Sequence, residues 1–468
     1  MSNFHSENQA TSYPQVVRIF ATVQDPDYDC PWQSLRTANC TGSGVLIRPN
    51  EILTGAHVIA NSTFLKIQKN ADPNKTVVHV KSVCHDCDLA LLTIEDQDFL
   101  KEVEPATLGE IPNLRDKVSV VGFPIGGEEI SITEGVVSRI EVQQYSHSQR
   151  KILAVTVDAA INKGNSGGPV FKDGKIAGIA FQKLNHAENI GEMVPANIIR
   201  HFLKGIDSKK SPVVPALSVI TQKLENPLLR KHLSMKAGMT GVMVKTVAYG
   251  GSAWGHLNPG DVLLEIEGAS IANNGTILYL NRYRTRYDVV LGQKYVGDTI
   301  QLKILRQGKI KKIRLKLQPL KHLVPYSQYD QTPSYFIFAG LVFQPLTYNF
   351  LNTWEEWWDK APPELLYQYY SGNCTEDREE VILVTQILSD EINVGYENLY
   401  NECISTVNGE KPRHIQDFVE KLEKTQDSLE LRTSSNSLII LEMESVKKSK
   451  DRILKRYHIM QDRSQNLR

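Results

Sequence analysis

The chain has 468 residues, enough for about two to four domains that each bury a core of their own. Its 53 Lys and Arg residues balance its 53 Asp and Glu residues, so no overall field favours nucleic acid or an acidic membrane surface. No apolar run reaches the roughly 20 residues that a membrane-spanning helix needs, and a hydrophobic share of 41% is ordinary for a soluble globular protein.

The first residues are polar, and we expect residues 1–13 to form a mobile N-terminus. They lack the basic region and the apolar stretch of a secretory signal. We therefore expect an intracellular protein, cytoplasmic if bacterial, and in the nucleus or another internal compartment if eukaryotic.

From residue 14 the sequence changes to short apolar runs separated by turn residues, and Asp173-Gly174 between two such runs predicts a hairpin. Many short strands with almost no helical periodicity predict a β-barrel domain over residues 14–207. Apolar residues at helical spacing in 196–203 predict a helix that closes this domain.

Three segments of this domain carry chemistry. His57 follows an apolar run and a small-residue turn, Asp88 directly precedes another apolar run, and Ser166 lies in the glycine-rich turn GNSGGP at 164–169. Each residue alone has a structural explanation, as a core histidine, a strand cap or a turn. Together, in the order His, Asp, Ser, they predict a catalytic triad in which His57 is the base, Asp88 its orienting partner and Ser166 the nucleophile.

The same turn predicts an oxyanion hole. Glycines beside a serine let the chain turn sharply and bring bare amides close to a substrate carbonyl. We expect the amides of Gly164 and Ser166 to bind the oxyanion, with the Asn165 amide as a third candidate.

These motifs resemble the HtrA/Deg family of serine proteases, and especially its plant-type branch with two PDZ domains. The resemblance rests on TGSGV at 41–45, TGAHV at 54–58, DLAL at 88–91, DAAIN at 158–162 and GNSGGP at 164–169. It implies a chymotrypsin-like double β-barrel followed by two PDZ domains, and an ATP-independent endopeptidase of protein quality control that degrades unfolded polypeptides. It further implies a homo-oligomer of trimers or larger, trimer-based cages, and no metal or organic cofactor.

The resemblance also implies that a strand at Ile190, Gly191, Glu192 and Met193 lines the primary specificity pocket. Glu192 departs from the family, which often has an aromatic residue there, so the side-chain preference stays open. Lys163 is a second departure, because proline is usual at that position. We expect lysine to leave the oxyanion loop freer in an inactive form, and a Lys163→Pro variant to change basal turnover.

A polar linker at 208–214 predicts a domain boundary, and residues 215–322 resemble a PDZ domain. We expect Thr240, Gly241, Val242 and Met243 to form a glycine turn and an edge strand that capture C-terminal or internal peptides. The alternative is a β-rich domain without a ligand. Three arginines of an inserted segment, Arg282, Arg284 and Arg286, indicate a solvated face rather than a nucleic-acid site.

Residues 323–445 repeat this pattern as a second, divergent PDZ domain in which 339–343 parallels the first binding strand. Ile415, Phe418, Val419 and Leu422 predict an amphipathic helix. The aromatic residues of 354–358 indicate a core or a subunit contact, and the resemblance implies a role in assembly. The basic segment 446–468 fits a docking helix better than a nucleic-acid site.

The pair Cys84 and Cys87 has the spacing of a redox or zinc motif. Zinc needs four ligands, and the sequence has no second pair at suitable spacing. The motif also precedes a strand rather than a helix, so we expect both thiols to be free and to pack beside Asp88.

Two other functions remain open. A latent protease could act mainly as a chaperone or PDZ scaffold, which ATP-independent turnover of an unfolded protein would distinguish. A nucleic-acid-associated protein acting through the basic segment would lose retention on heparin once residues 447–468 were removed.

Overall fold

A computed structural model describes residues 13–124, 127, 129–159, 161, 164–183 and 190–468. The chain divides into two compact units. The first comprises Met1–Val23, Thr37–Val247 and Gly251–Leu320, and the second comprises Gln24–Arg36, Ala248–Gly250 and Lys321–Arg468. Nearly all of the predicted N-terminal segment, and also Lys163, lie outside the described residues. No helix among the described residues is both long and apolar enough to cross a membrane.

The first unit begins with a closed six-stranded barrel in the order β1-β2-β3-β6-β5-β4. Alternate residues of these strands point inward, and side chains such as Ile19, Leu46, Ile52 and Leu92 fill the core. A one-turn helix, α1 (Ala56–Ile59), follows the third strand. The strands are β1 (Val16–Val23), β2 (Ala38–Arg48), β3 (Glu51–Thr54), β4 (Ser62–Lys69), β5 (Lys75–Cys84) and β6 (Leu89–Ile94).

A second closed barrel has the order β10-β11-β12-β9-β8-β7, so the predicted double-barrel fold is confirmed. The predicted Asp173-Gly174 hairpin joins two of its strands, and both residues have the positive φ that such a turn needs, 50° and 72°. The predicted helix α2 (Ala196–Asp207) follows. The strands are β7 (Lys117–Gly122), β8 (Ser131–Gln144), β9 (Lys151–Val157), β10 (Pro169–Lys172), β11 (Lys175–Lys183) and β12 (Gly191–Pro195).

The rest of the first unit is the predicted first PDZ region, whose main sheet has the order β14-β15-β16-β20-β21. Its helices are α3 (Pro227–His232) and a 3-10 helix at Tyr287–Gln293. Its strands are β13 (Pro215–Ala216), β14 (Val219–Lys223), β15 (Val242–Val247), β16 (Val262–Ile266), β17 (Ala269–Ser270), β18 (Thr276–Tyr279), β19 (Tyr283–Arg286), β20 (Thr299–Arg306), β21 (Lys309–Lys316) and β22 (Gln318–Pro319).

The β18–β19 hairpin is the inserted segment noted in the sequence, and it packs on the second barrel. Thr285 Oγ1 accepts a hydrogen bond from the Val142 amide at 2.8 Å, and Tyr283 Oη donates to the Pro112 carbonyl at 3.0 Å. The side chains alternate along β19, so its tyrosine and threonine are buried whereas Arg284 is exposed. The exposed arginine agrees with the solvated face expected there.

The second unit contains one antiparallel sheet with the strands in chain order from β23 to β28. The predicted amphipathic helix is confirmed, with all four of its predicted apolar residues buried. The strands are β23 (Phe336–Phe338), β24 (Leu341–Pro345), β25 (Ile382–Ile387), β26 (Glu402–Val407), β27 (Ser428–Thr433) and β28 (Leu438–Glu442). The helices are α4 (Tyr348–Leu351), α5 (Trp357–Lys360), α6 (Pro363–Ser371), α7 (Ile415–Lys424) and α8 (Met443–Arg456).

Helix α8 is the docking helix expected in the basic segment. Ile453 is buried in an apolar cluster, and Arg452 and Arg456 pair with the buried carboxylate of Asp390. Two of the basic side chains of this segment therefore bind within the second unit. In the aromatic segment, Trp357 is buried and Trp358 is 59% exposed.

The segment between β1 and β2 belongs to the second unit. The Gln344 amide, itself buried, donates a hydrogen bond to the Tyr28 carbonyl at 3.1 Å, and the Gln386 amide donates to the Asp29 carbonyl at 2.6 Å. The Trp32 ring packs edge-on against Tyr335. Residues 24–36 are therefore part of the second unit's packing although they lie early in the chain.

Candidate active site

Helix α1 places His57 at the end of β3. Gly55 precedes the helix, and a Cβ at that position would lie 2.7 Å from His57 Cε1. Glycine is therefore required for the imidazole to fold back over the strand end. The His57 side chain is 25% exposed, so it faces solvent on one side.

Asp88 lies in the turn between β5 and β6 with φ of 54°, and its side chain is 1% exposed. Its Oδ2 lies 2.7 Å from His57 Nδ1, and its Oδ1 accepts a hydrogen bond from the His57 backbone amide at 2.8 Å. The carboxylate thus fixes both the backbone and the ring of the histidine. Because Nδ1 donates to Asp88, the proton is absent from Nε2, which is the nitrogen that must accept one.

The two groups shift each other's pKa. Burial is the largest effect on His57 and lowers its pKa, but the charge and hydrogen bond of Asp88 outweigh it, so the pKa lies above 6.5. For Asp88, burial raises the pKa, and the positive charge and hydrogen bonds of His57 lower it further than that. The pair therefore favours a charged imidazolium beside a carboxylate, as a general base needs after taking a proton.

Ser166 is half-buried in the turn between β9 and β10, where Gly164 and Gly167 have φ of 102° and 80°. A side chain at Gly167 would clash with backbone and side-chain oxygens, so the turn needs glycine. Within the described part of the chain, His57 Nε2 makes no hydrogen bond. The Ser166–His57 hydrogen bond is therefore absent in this resting geometry, as is common before substrate binds.

The amides of Gly164 and Ser166 donate no hydrogen bond to any described residue. Asn165 is fully buried, and its side-chain amide has no partner among the described residues. Bare amides beside a nucleophile fit the predicted oxyanion hole, and the roles of Gly164, Asn165 and Ser166 stay predictions.

Sequence reasoning missed a fourth residue of this region, Ser43 on β2. Its hydroxyl donates to the Gly164 carbonyl at 2.8 Å and accepts from the Phe123 amide at 2.8 Å, and its own amide donates to the Ser166 carbonyl at 3.0 Å. The glycines around it in the TGSGV motif were the available signal, because they allow the two segments to approach closely.

The predicted specificity strand is β12 with the preceding Ile190. Gly191 lies against Ile161, and Met193 packs in the same apolar cluster as Ile161. Glu192 is fully buried, and the strand alternation places it on the opposite face from Met193. The apolar face of β12 thus carries Met193 and lies beside Ile161, and the side-chain preference remains a prediction.

In the first PDZ region, the prediction that Val242 and Met243 lie on an edge strand is wrong. Val242 and Met243 belong to β15, which pairs with β14 on one side and β16 on the other. Thr240 Oγ1 donates to the Ile271 carbonyl, and the Gly241 amide donates to Asn273 Oδ1, so the turn is also occupied.

The outer strands of this sheet are β21 and β14, and β14 follows the polar linker closely. Ser218 precedes it with φ of 60°, and Ile220 on the strand is 58% exposed. The local pattern around Val242 and Met243 indicated a strand but could not show that other strands pair with it on both sides. The edges of this sheet available for an added peptide strand are therefore those of β14 and β21.

In the second PDZ domain, the strand that parallels the first binding strand is β24, and β23 already pairs with it. Ala339 and Gly340 form a tight two-residue turn between them, and Asn393 donates to the Ala339 carbonyl at 2.8 Å. The outer side of β23 is also occupied, because the Ile337 amide donates to the Asp462 carbonyl at 2.7 Å. This arrangement leaves β24 no open edge for a peptide.

Cys84 and Cys87 are buried and unlinked. The Cys84 thiol donates to the Pro212 carbonyl at 2.7 Å, and burial raises the pKa of the Cys87 thiol well above its usual value. Among the described residues no group of three or more His, Cys, Asp or Glu side chains is arranged to hold a metal ion. The pair contributes packing next to Asp88.

Comparison with known sequences adds independent findings. Residues 42–179 match the trypsin-like peptidase domain, and residues 324–466 match a PDZ domain. The chain is 38% identical over 457 residues to "Protease Do-like 2, chloroplastic" of Arabidopsis thaliana, covering 97% of this chain and 75% of the relative. It is 36% identical over 446 residues to "Putative protease Do-like 13" of the same plant, covering 95% and 87%.

Among solved structures, the chain resembles an "HtrA-type protease AlgW with tripeptide". The TM-score is 0.51 with 24% identity, covering 66% of this chain and 95% of the other. At that identity the likeness supports the fold alone.

Proposed function

The chain belongs to the HtrA/Deg family of serine proteases and is a serine endopeptidase, and on that premise we propose that His57, Asp88 and Ser166 are its catalytic triad. The observation that supports this most directly is that Asp88 accepts two hydrogen bonds from His57, one from ring Nδ1 at 2.7 Å and one from the backbone amide at 2.8 Å. The Asp88 side chain is only 1% exposed. Such an arrangement leaves Nε2 free to take a proton.

In the proposed mechanism, Ser166 Oγ attacks the scissile carbonyl while His57 Nε2 takes its proton. Asp88 stabilises the imidazolium that forms, and its low pKa keeps it ionised throughout. The amides of Gly164 and Ser166 bind the oxyanion of the tetrahedral intermediate. His57 then gives the proton to the leaving amine as the scissile C–N bond breaks and the acyl-enzyme forms. Water next attacks the acyl carbonyl while His57 takes its proton, and His57 returns that proton to Ser166 Oγ as the acid product leaves.

We further propose that the substrates are unfolded or damaged polypeptides, degraded without ATP in protein quality control. The free edge of β14, with exposed Ile220, suits capture of an extended peptide by main-chain hydrogen bonds. The second PDZ domain has no open edge on β24, the counterpart of the predicted binding strand, and we propose that it serves assembly of a trimer-based homo-oligomer in an intracellular compartment.

Degradation of casein without ATP tests the function, with Ser166→Ala as the matched variant. Cleavage by the parent and none by the variant is expected. Cleavage by both would show that Ser166 is not the nucleophile.

A latent protease that acts as a chaperone remains the second candidate, because His57 Nε2 is not engaged in the resting geometry. It would show no cleavage by either protein, together with suppression of casein aggregation by both. Cleavage by the parent would exclude it.

A further inference from the structure

Ser43 lies where the first barrel meets the nucleophile turn, and each of its polar groups is engaged. Its hydroxyl bridges the Gly164 carbonyl and the Phe123 amide, both at 2.8 Å. Its amide donates to the Ser166 carbonyl at 3.0 Å, and its carbonyl accepts from Thr54 Oγ1 at 2.8 Å. Because Ser43 is fully buried, each of these groups needs a partner, and two of the four partners belong to the nucleophile turn.

These contacts hold the nucleophile turn on both sides of Ser166. The hydroxyl fixes the peptide plane between Gly164 and Asn165, and the Ser43 amide fixes the plane that follows Ser166. The Ser166 amide lies in the plane between them. Gly164 has φ of 102° and no side chain to restrict it, so an external bond to its carbonyl is what limits its rotation.

Asn165 offers no substitute for this bond. Its side chain is fully buried, yet within the described chain neither of its amide atoms has a hydrogen-bond partner. Gly167 and Gly168 bond to Ala180 on β11, but the carbonyls of Gly164 and Ser166 are held by Ser43 and not by the Asn165 side chain.

The surroundings of Ser43 are shaped for its hydroxyl. A Cβ at Gly122 would lie 2.7 Å from Ser43 Oγ and 3.0 Å from Asn165 Cα. Cβ atoms in proteins essentially never lie closer than 3.0 Å to another heavy atom. Any side chain at Gly122 would therefore displace the Ser43 hydroxyl or the nucleophile turn.

We propose that Ser43 is a positioning residue for catalysis, which holds the turn from Gly164 to Ser166 in the conformation that presents the oxyanion-binding amides. The proposal rests on the triad and oxyanion roles given above. Amides aimed at the oxyanion act on the transition state and hardly on the bound substrate. Loss of the hydroxyl therefore lowers kcat and leaves KM nearly unchanged.

The test compares the full chain with its Ser43→Ala variant on a chromogenic peptide. Removing one oxyanion donor outright costs about 10²–10³ in kcat, and Ser43 acts one bond away, so we expect kcat to fall by about 10–100-fold. KM should stay within about twofold. The inhibition constant of a peptidyl boronic acid, whose adduct places an oxygen in the oxyanion hole, should rise by the same factor as kcat/KM falls.

Ser449→Ala is the matched control. Ser449 is 1% exposed, and its hydroxyl donates to a backbone carbonyl at 2.9 Å, but it lies on α8 in the second unit. It should lose a similar amount of thermal stability and keep kcat and boronate inhibition unchanged.

Gly122→Ala gives a second route if Ser43→Ala fails to fold. It keeps the hydroxyl but forces it from its place, and we expect the same selective fall in kcat. An unchanged kcat in both folded variants, beside an inactive Ser166→Ala, would overturn the positioning role and leave the triad standing. An active Ser166→Ala would instead refute the proposed function itself.

Discussion

Replacing Asp88 with Asn changes one atom in the bond that fixes the proton of His57. Asn keeps an oxygen to accept from the His57 backbone amide, where Asp88 now accepts at 2.8 Å. Its nitrogen, however, faces Nδ1 across the 2.7 Å bond and must donate. The imidazole proton then moves to Nε2, and that nitrogen can no longer accept a proton from Ser166.

The expected loss follows from this tautomer. The same replacement in a serine protease triad lowers kcat about 10⁴-fold, which is about 5.4 kcal/mol of transition-state stabilisation. The pH profile should change as well. In the parent, kcat/KM should rise with pH through a pKa above 6.5, because neutral His57 is the base. In the variant, burial still lowers the pKa of His57, and no carboxylate charge raises it again. The rising limb of the pH profile should therefore move below pH 6.5.

The assay is kcat/KM for a chromogenic peptide from about pH 5 to 9. Asp261→Asn is the matched control, because Asp261 is 2% exposed and pairs with Arg306 at 2.6 Å in the first PDZ region. The Asp261→Asn variant should lose thermal stability, but its kcat/KM should rise with pH over the same range as in the parent. A loss below about tenfold for Asp88→Asn, or an unmoved limb, would refute the role given to Asp88.

Three further predictions concern folding and docking. Gly167→Ala should abolish activity and lower Tm, because its Cβ would clash with neighbouring oxygens at a φ of 80°; a calorimetric scan and the peptide assay check it. Asp390→Asn should lower Tm by about 2–4 °C at pH 7. Arg452 lowers the Asp390 pKa, so this stability is present above the ordinary value of 3.8 and lost as pH falls through the folded pKa; equal Tm differences at pH 3 and 7 would contradict it. Thr285→Val should leave the Val142 amide unpaired, at a cost of about 1–3 kcal/mol, and speed proteolysis of the inserted hairpin, whereas unchanged digestion would argue against its docking role.

The sequence predicted the parts of this protein that local patterns encode. The double barrel, the Asp173-Gly174 hairpin and the amphipathic helix α7 depend on residues close together in the chain. His57 and Asp88 were found because their flanking motifs are specific, and the structure brings them within hydrogen-bond distance.

Pairings between distant segments were not predictable in this way. Ser43 bonds to a residue 121 positions away, and no local pattern shows that contact. Val242 and Met243 were predicted to lie on a strand, but the pairing of that strand on both sides depends on β14 and β16. Arg282, Arg284 and Arg286 drew attention to the inserted segment, but its buried contacts with the barrel come from Tyr283 and Thr285, beside a surface bond from Arg282 to Asn113.

The placement of residues 24–36 in the second unit has a consequence for synthesis of the chain. The Tyr28 carbonyl meets the Gln344 amide 316 residues later. At about 5–20 residues per second, the ribosome needs roughly 15–60 seconds to make that partner. During this time Tyr28 and Trp32 stay without the aromatic and amide groups that later cover them. Residues 24–36 therefore stay unpacked until the second unit has been synthesised. The protein reaches its final packing only after its last strands have left the exit tunnel.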